Sequence, residues 1–223
     1  MAQVHNVSVG YYNMQVIKGK DGAVVVDAGT PGSSVKILAE LSKLGIFPQD
    51  VRLIICTHGH VDHVGGAGEL RMATGAQIVL HKADAKFVRE GKSAPLSPTG
   101  FFSSLFAAII RRIKILPLEP DIIIEGEMDI SSYGVEGILV PTPGHTPGSI
   151  SVVLAEGVAI VGDLLAGGML PWRRGPGLHF LLDNPAEALR SVHAILAKAT
   201  GLIYAGHGGP FEPDQVRKAL ELQ

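Results

Sequence analysis

Apolar residues in this chain fall into short runs closed by glycine, proline or aspartate. Residues 7–17 carry β-branched and aromatic side chains and run into Gly19-Lys20-Asp21-Gly22, a turn signal, which predicts strand. Residues 23–26 are continuously apolar, as a buried strand is, and end in Asp27-Ala28-Gly29-Thr30-Pro31-Gly32. Val35, Leu38, Leu41 and Leu44 then fall at helical spacing, with Ser33 or Ser34 as cap and Gly45 as stop. A second buried strand is expected over 51–56, a helix over 67–73 and a strand over 77–81.

The middle of the chain differs. Residues 93–100 have a loop composition, and Phe101, Phe102, Leu105, Phe106, Ile109, Ile110 and Ile113 then form one wide helical stripe. Three uses suit that stripe: a core helix, a pocket wall or lid, or a membrane-surface or dimer contact beside Arg111, Arg112 and Lys114. Strand patterns resume at 122–124, 137–140, 150–154 and 159–161. A helix over 185–198 has Asn184 as its cap and Pro185 in its first position. A strand over 202–204 and a last helix over 213–222 follow. Strands in each half with helices between them predict an α/β (α+β) class of stacked layers. The length fits one domain over 1–223, with an inserted helical and loop segment at about 84–120.

Composition narrows the function. A net charge of −2 with scattered lysines and arginines argues against a nucleic-acid partner. The single cysteine, Cys56, cannot form an internal disulfide and reads as a small buried apolar residue. The amino terminus lacks a basic, then apolar, leader pattern, and no apolar run is long enough to span a bilayer. A cytoplasmic location, without stable membrane insertion, is therefore expected.

The chemistry is concentrated in His58-Gly59-His60-Val61-Asp62-His63, directly after an apolar strand. On a continuing strand His58 and His60 share a face, while on a turn or helix Asp62 and His63 point elsewhere. A change of conformation inside this segment can therefore feed two adjacent metal positions. Three further ligand-type residues stand beside glycine at predicted strand ends: His145 in Pro141-Thr-Pro-Gly-His-Thr-Pro-Gly148, Asp163 after Gly162, and His207 between Gly206 and Gly208.

Thr57-His-Gly-His-Val-Asp-His-Val-Gly-Gly66 resembles the signature of the metallo-β-lactamase superfamily, and His145, Asp163 and His207 match its remaining ligand positions in order. The resemblance covers nearly the whole chain and implies a four-layer αβ/βα sandwich. It implies that His58, His60 and His145 bind a first metal, that Asp62, His63 and His207 bind a second, and that Asp163 bridges them. It also implies two divalent ions, zinc first with iron or manganese as alternatives, and a metal-bridging hydroxide that Asp62 helps to orient. Asp27 is expected to hydrogen-bond the metal loop from behind.

The substrate is less defined, because one scaffold hosts many activities. Glyoxalase II is similar in its ligand set, although the segment after His207 is short for that enzyme's glutathione-binding domain. Acyl-homoserine lactonases are similar too, but carry a tyrosine where Leu164-Leu-Ala-Gly-Gly168 follows Asp163. The expected activity is hydrolysis of a small ester, thioester or lactone, by a monomer or homodimer. The alternatives are a mononuclear iron dioxygenase of the persulfide dioxygenase type, which would use His58, His145 and Asp163, and a non-catalytic metal-binding protein. His5, His81 and His193 lie outside the motifs. His179, with Trp172 and Arg173, reads equally as pocket lining or as a loop bracing the fold.

Overall fold

The structure, a computed structural model, describes residues 2–99, 101–110, 112–168 and 175–222. Expectations that concern Arg111, Trp172 and Arg173 lie outside these residues, as do the side chains of Phe101, Phe102, Phe106 and Ile109. One sheet has the order β1(Gln3–Val9), β2(Tyr12–Lys18), β3(Ala23–Val26), β4(Val51–Ile55), β5(Gln77–His81), β6(Ile122–Ile124). Its first three strands are antiparallel and the rest parallel. Parallel neighbours need a crossover. Here the crossovers carry α1(Ser34–Lys43) and α3(Ala67–Thr74), with α4(Lys82–Arg89) and α5(Phe101–Ile110) in the last. The short helix α2(Val61–Val64) lies between β4 and α3.

The second sheet has the order β13(Ile203–Tyr204), β10(Ala159–Ile160), β9(Ile150–Leu154), β8(Gly137–Pro141), β7(Met128–Asp129). The crossover from β10 to its parallel neighbour β13 contains a small ribbon, β11(Leu165–Ala166) with β12(Gly177–Leu178), and helix α6(Pro185–Lys198). Helix α7(Pro213–Ala219) closes the described chain.

Three apolar layers hold these elements together. Ile17, Val24, Leu53 and Ile55 of the first sheet meet Leu139, Ile150, Val152 and Ile160 of the second. The outer face of the first sheet packs Val25, Ile54 and Ile78 on Ile37, Leu70 and Val88 of its helices. The outer face of the second packs Val153, Ala159 and Val161 on Val192 and Ile195 of α6. The result is the four-layer helix–sheet–sheet–helix arrangement, in which each strand alternates between two buried faces.

Several elements differ from the sequence expectation. Strand begins at Gln3, and the 7–17 run is broken at Gly10, whose φ of 64° turns β1 into β2. In α1 the buried face is Ser34, Ile37 and Leu41, while Val35 is 67% exposed. Ser33 makes no side-chain cap, because its hydroxyl pairs with the Tyr12 hydroxyl at 2.7 Å. The stripe over 101–113 is not one face among the described side chains: Ala107 and Ile110 are buried, Leu105 is 58% exposed, and Ile113 lies beyond the helix end.

Register places the chemistry. Ile55 pairs with both Val26 and Val79, so Asp27 and Cys56-Thr57 leave the first sheet side by side. In the second sheet Ile160 pairs in parallel with Tyr204, and a ligand-type residue, Asp163 or His207, follows each by the same interval. Pro141 pairs with Ile150, which closes the turn holding His145.

Candidate metal centre

The chain leaves β4, bends over residues 57–59, is extended at His60, whose φ and ψ are −79° and 150°, and only then enters α2. His58 and His60 thus precede the helix while Asp62 and His63 lie in it, the change of conformation that two adjacent positions need. In the first corner, His60 Nδ1 lies 3.0 Å from His58 Nε2 and 2.9 Å from His145 Nε2, and those two are 3.1 Å apart. Asp163 Oδ2 lies 3.5 Å from His145 Nε2 and 4.0 Å from His58 Nε2. In the second corner, His63 Nε2 is 3.3 Å from Asp163 Oδ1, and His207 Nε2 is 3.3 Å from Asp163 Oδ2 and 3.6 Å from Asp62 Oδ2. All seven residues are buried.

The back of each ring is held by an acceptor. His145 Nδ1 donates to Leu181 O and His207 Nδ1 to Tyr11 O, both at 2.6 Å. His60 Nε2 donates to Pro95 O at 3.3 Å, and His63 Nδ1 to Asp27 Oδ2 at 2.7 Å. The Thr57 hydroxyl donates to Asp27 at 2.9–3.0 Å and accepts from His58 Nδ1 at 3.1 Å. Each of these five rings therefore turns its second nitrogen inward, the atom that metal ligation requires once it is free of a proton.

Asp27 sits at φ 61°, a left-handed backbone uncommon outside glycine and recurrent at functional sites. Its carboxylate collects the Thr57 N–H, the Thr57 hydroxyl and His63. Gly206 has a steric reason, because a Cβ there would run into Asp163 Oδ1 and His63.

Burial pushes the His58 imidazole well below its ordinary value, with His63, His145 and His60 adding to the effect. Burial does the same to His145 against the pull of Asp163. In the other corner burial is outweighed. Asp163, Asp27 and Asp62 together raise His63 well above its ordinary value, and Asp163 raises His207. Burial alone would raise Asp163, but His207, His63 and His179 hold it well below the usual carboxylate range. Without metal the first corner is neutral, while the second carries protons against carboxylates. An ion entering the second corner must displace those protons.

The donor set fits divalent metals. It is all imidazole nitrogen and carboxylate oxygen, and two buried ligand atoms, His63 Nε2 and Asp163 Oδ1, make no hydrogen bond among the described residues.

Sequence reasoning did not single out two supporting residues. Asp84 on α4 accepts from Gly59 N and from the Thr146 hydroxyl, both at 2.8 Å, and so ties the His58–His63 segment to the His145 turn. Its signal was a carboxylate on the same helical face as Val88, a buried apolar residue. Asn13 binds the His207 loop through Gly206 O, Ala205 O and Gly208 O. His179, given above an open role, is buried beside the cluster with its Nε2 3.6 Å from Asp163 Oδ2. His5, His81 and His193 join none of the metal-competent groups among the described residues, and His81 instead accepts from Ala83 N at the start of α4. Cys56 is fully buried, and burial raises its thiol well above the ordinary value, which suits an apolar filler and not a nucleophile.

A four-layer α/β sandwich with a buried His/Asp cluster at its strand ends defines a class of metallo-hydrolase folds. The chain matches the family model of the metallo-beta-lactamase superfamily over residues 7–207, and it belongs to that superfamily. It is 31% identical over 198 residues to a protein of Methanocaldococcus jannaschii named a probable metallo-hydrolase, covering 88% of this chain and 87% of that one. It is 32% identical over 191 residues to metallo-beta-lactamase domain-containing protein 1 of Xenopus laevis, covering 84% and 67%. Similarity to a hydroxyacylglutathione hydrolase of Anaeromyxobacter dehalogenans is 29% over 213 residues, covering 95% and 66%. In fold it resembles the crystal structure of the B3 metallo-beta-lactamase BLEG-1, with a TM-score of 0.71 at 22% identity over 97% of both chains. No described helix is long and apolar enough to cross a membrane.

Proposed function

We propose that this chain, as one domain, is a dinuclear metal-dependent hydrolase, zinc-loaded, acting on a small carboxylic ester, thioester or lactone. The observation that carries this reading is the tautomer pattern: five imidazoles are fixed from behind so that their free nitrogens converge with Asp62 and Asp163. His58, His60 and His145 would hold one ion, and Asp62, His63 and His207 the other. Asp163, with Oδ1 toward His63 and Oδ2 toward His145 and His207, serves both. Ions so held supply Lewis acidity toward a carbonyl and lower the pKa of water.

The remaining work falls to the chain. Asp62 orients the attacking water and receives its proton. Leu96, Ile110 and Leu181 line the pocket over the cluster, where their apolar surface excludes bulk water.

Elemental analysis of protein purified without chelator, followed by a panel of thioesters, lactones and phosphodiesters, tests the proposal. About two ions per chain, with carboxylic-ester or thioester turnover abolished in Asp62→Asn, are expected. A single iron with oxygen uptake on a persulfide would instead make the chain a dioxygenase. Metal without turnover of any of these would make it a binding protein.

A further inference from the structure

His179 is a sixth imidazole at the cluster, and by distance alone it groups with Asp163 and His207 as a metal-competent set. Its hydrogen bonding sets it apart from the other five. Leu181 addresses two rings with opposite ends of its backbone. Its carbonyl accepts from His145 Nδ1 at 2.6 Å, while its N–H donates to His179 Nδ1 at 3.1 Å. The same carbonyl is 3.4 Å from His179 Nδ1 and already has the closer His145 partner. A ring whose Nδ1 accepts must carry its proton on Nε2. That nitrogen is buried, has no hydrogen-bond partner among the described residues, and faces Asp163 Oδ2 from 3.6 Å. The ring cannot easily turn away, being stacked on Phe180 with centroids 4.5 Å apart and packed edge-on against His145 at 4.9 Å.

We propose that His179 is not a ligand but the hydrogen-bond donor of this site, presenting Nε2–H to the substrate oxygen that gains negative charge beside Asp163. A buried N–H without a partner is unfavourable, and one aimed into a reaction pocket is preorganised for an acceptor that arrives from outside. His179 lines the same pocket as Leu96, Ile110 and Leu181, so its ring edge faces the space over the cluster. The inference rests on the dinuclear hydrolase reading for the identity of that acceptor. The tautomer itself does not depend on that reading.

Zinc-loaded protein labelled with ¹⁵N-histidine gives the test, because two-bond ¹H–¹⁵N correlations separate Nε2–H from Nδ1–H rings. His179, assigned by the signal lost in H179Q or H179L, is expected as Nε2–H. Zinc content in both variants is expected to equal that of the parent. Acetohydroxamate, a small oxyanion probe, is expected to bind H179L about tenfold more weakly, the worth of one hydrogen bond. H179Q, whose amide can offer an N–H, should recover most of that loss. An Nδ1–H ring at 179, zinc lost on substitution, or equal acetohydroxamate affinity in all three proteins overturns the proposal. Fewer than two zinc ions in the parent would defeat the dinuclear reading instead, and the tautomer, readable in metal-free protein, would still decide the role of His179.

Discussion

At the residue scale the site depends on what stands behind each ligand. Asp27 fixes His63 directly and His58 through the Thr57 hydroxyl. Asp27→Ala is therefore expected to weaken metal binding by about 10–100-fold, the usual effect of removing a partner that orients a ligand. Competition with a chromophoric chelator measures it. Titration of the metal-free protein follows from the same environment. His58, His60, His145 and His179 are lowered in the folded chain, the last to about 4, so below their ordinary value the unfolded chain binds more protons and stability is lost as the pH is lowered. His63 and His207 are raised, so their contribution is complete below the ordinary histidine value and is lost as pH climbs through their folded values. Thermal unfolding of metal-free protein should therefore show its highest Tm near pH ~6.5 and decline on both sides. Saturating zinc should remove the alkaline decline, because His63 and His207 are then neutral ligands. A Tm that rises steadily with pH in metal-free protein would contradict this.

At the element scale α4 is more than a crossover. Its first turn places Asp84 between the loop after β4 and the turn after β8, so one carboxylate sets the spacing of ligand segments from both sheets. Asp84→Ala strands the Gly59 N–H and the Thr146 hydroxyl and is expected to cost about 1–3 kcal/mol. Urea unfolding of metal-free protein reads this, with Asp84→Asn losing less because its amide keeps an acceptor. Asp84 also shows where sequence reading stops. His58, His60, Asp62 and His63 were legible because ligand-type side chains crowd the end of an apolar run, and His145, Asp163 and His207 because each stands beside glycine at a strand end. Asp84 and Asn13 act on partners far away in the chain, and no local pattern marks such partners. His179 was visible as a histidine near the site, but its tautomer depends on Leu181 and His145 meeting in space. The strands were readable from buried runs such as 23–26, whereas Val35 misled because helical spacing alone does not say which side of a broad stripe meets the sheet.

At the scale of the whole molecule the cluster lies where two sheets meet. The His58–His63 segment follows a strand of the first sheet, whereas His145, Asp163 and His207 follow strands of the second. Ions bound to both sets would clamp the layers together. Stripping metal with a chelator is expected to lower stability by about 4 kcal/mol relative to protein held at ~1,000 times the dissociation constant. Calorimetry with and without zinc measures it, and equal Tm values would show that the ligands do not bind ions across the two sheets. Leu139→Ala, between the sheets but outside the cluster, should cost about 2–5 kcal/mol and leave metal stoichiometry intact. The first hairpin adds a consequence in time. His207, the last ligand, is oriented by the carbonyl of Tyr11, and its loop is fastened by Asn13. A chain emerging from the ribosome makes this turn before the residue that the turn serves, 196 positions further on. A nascent chain thus exposes the His58–His63 ligands before His207 can complete the second corner.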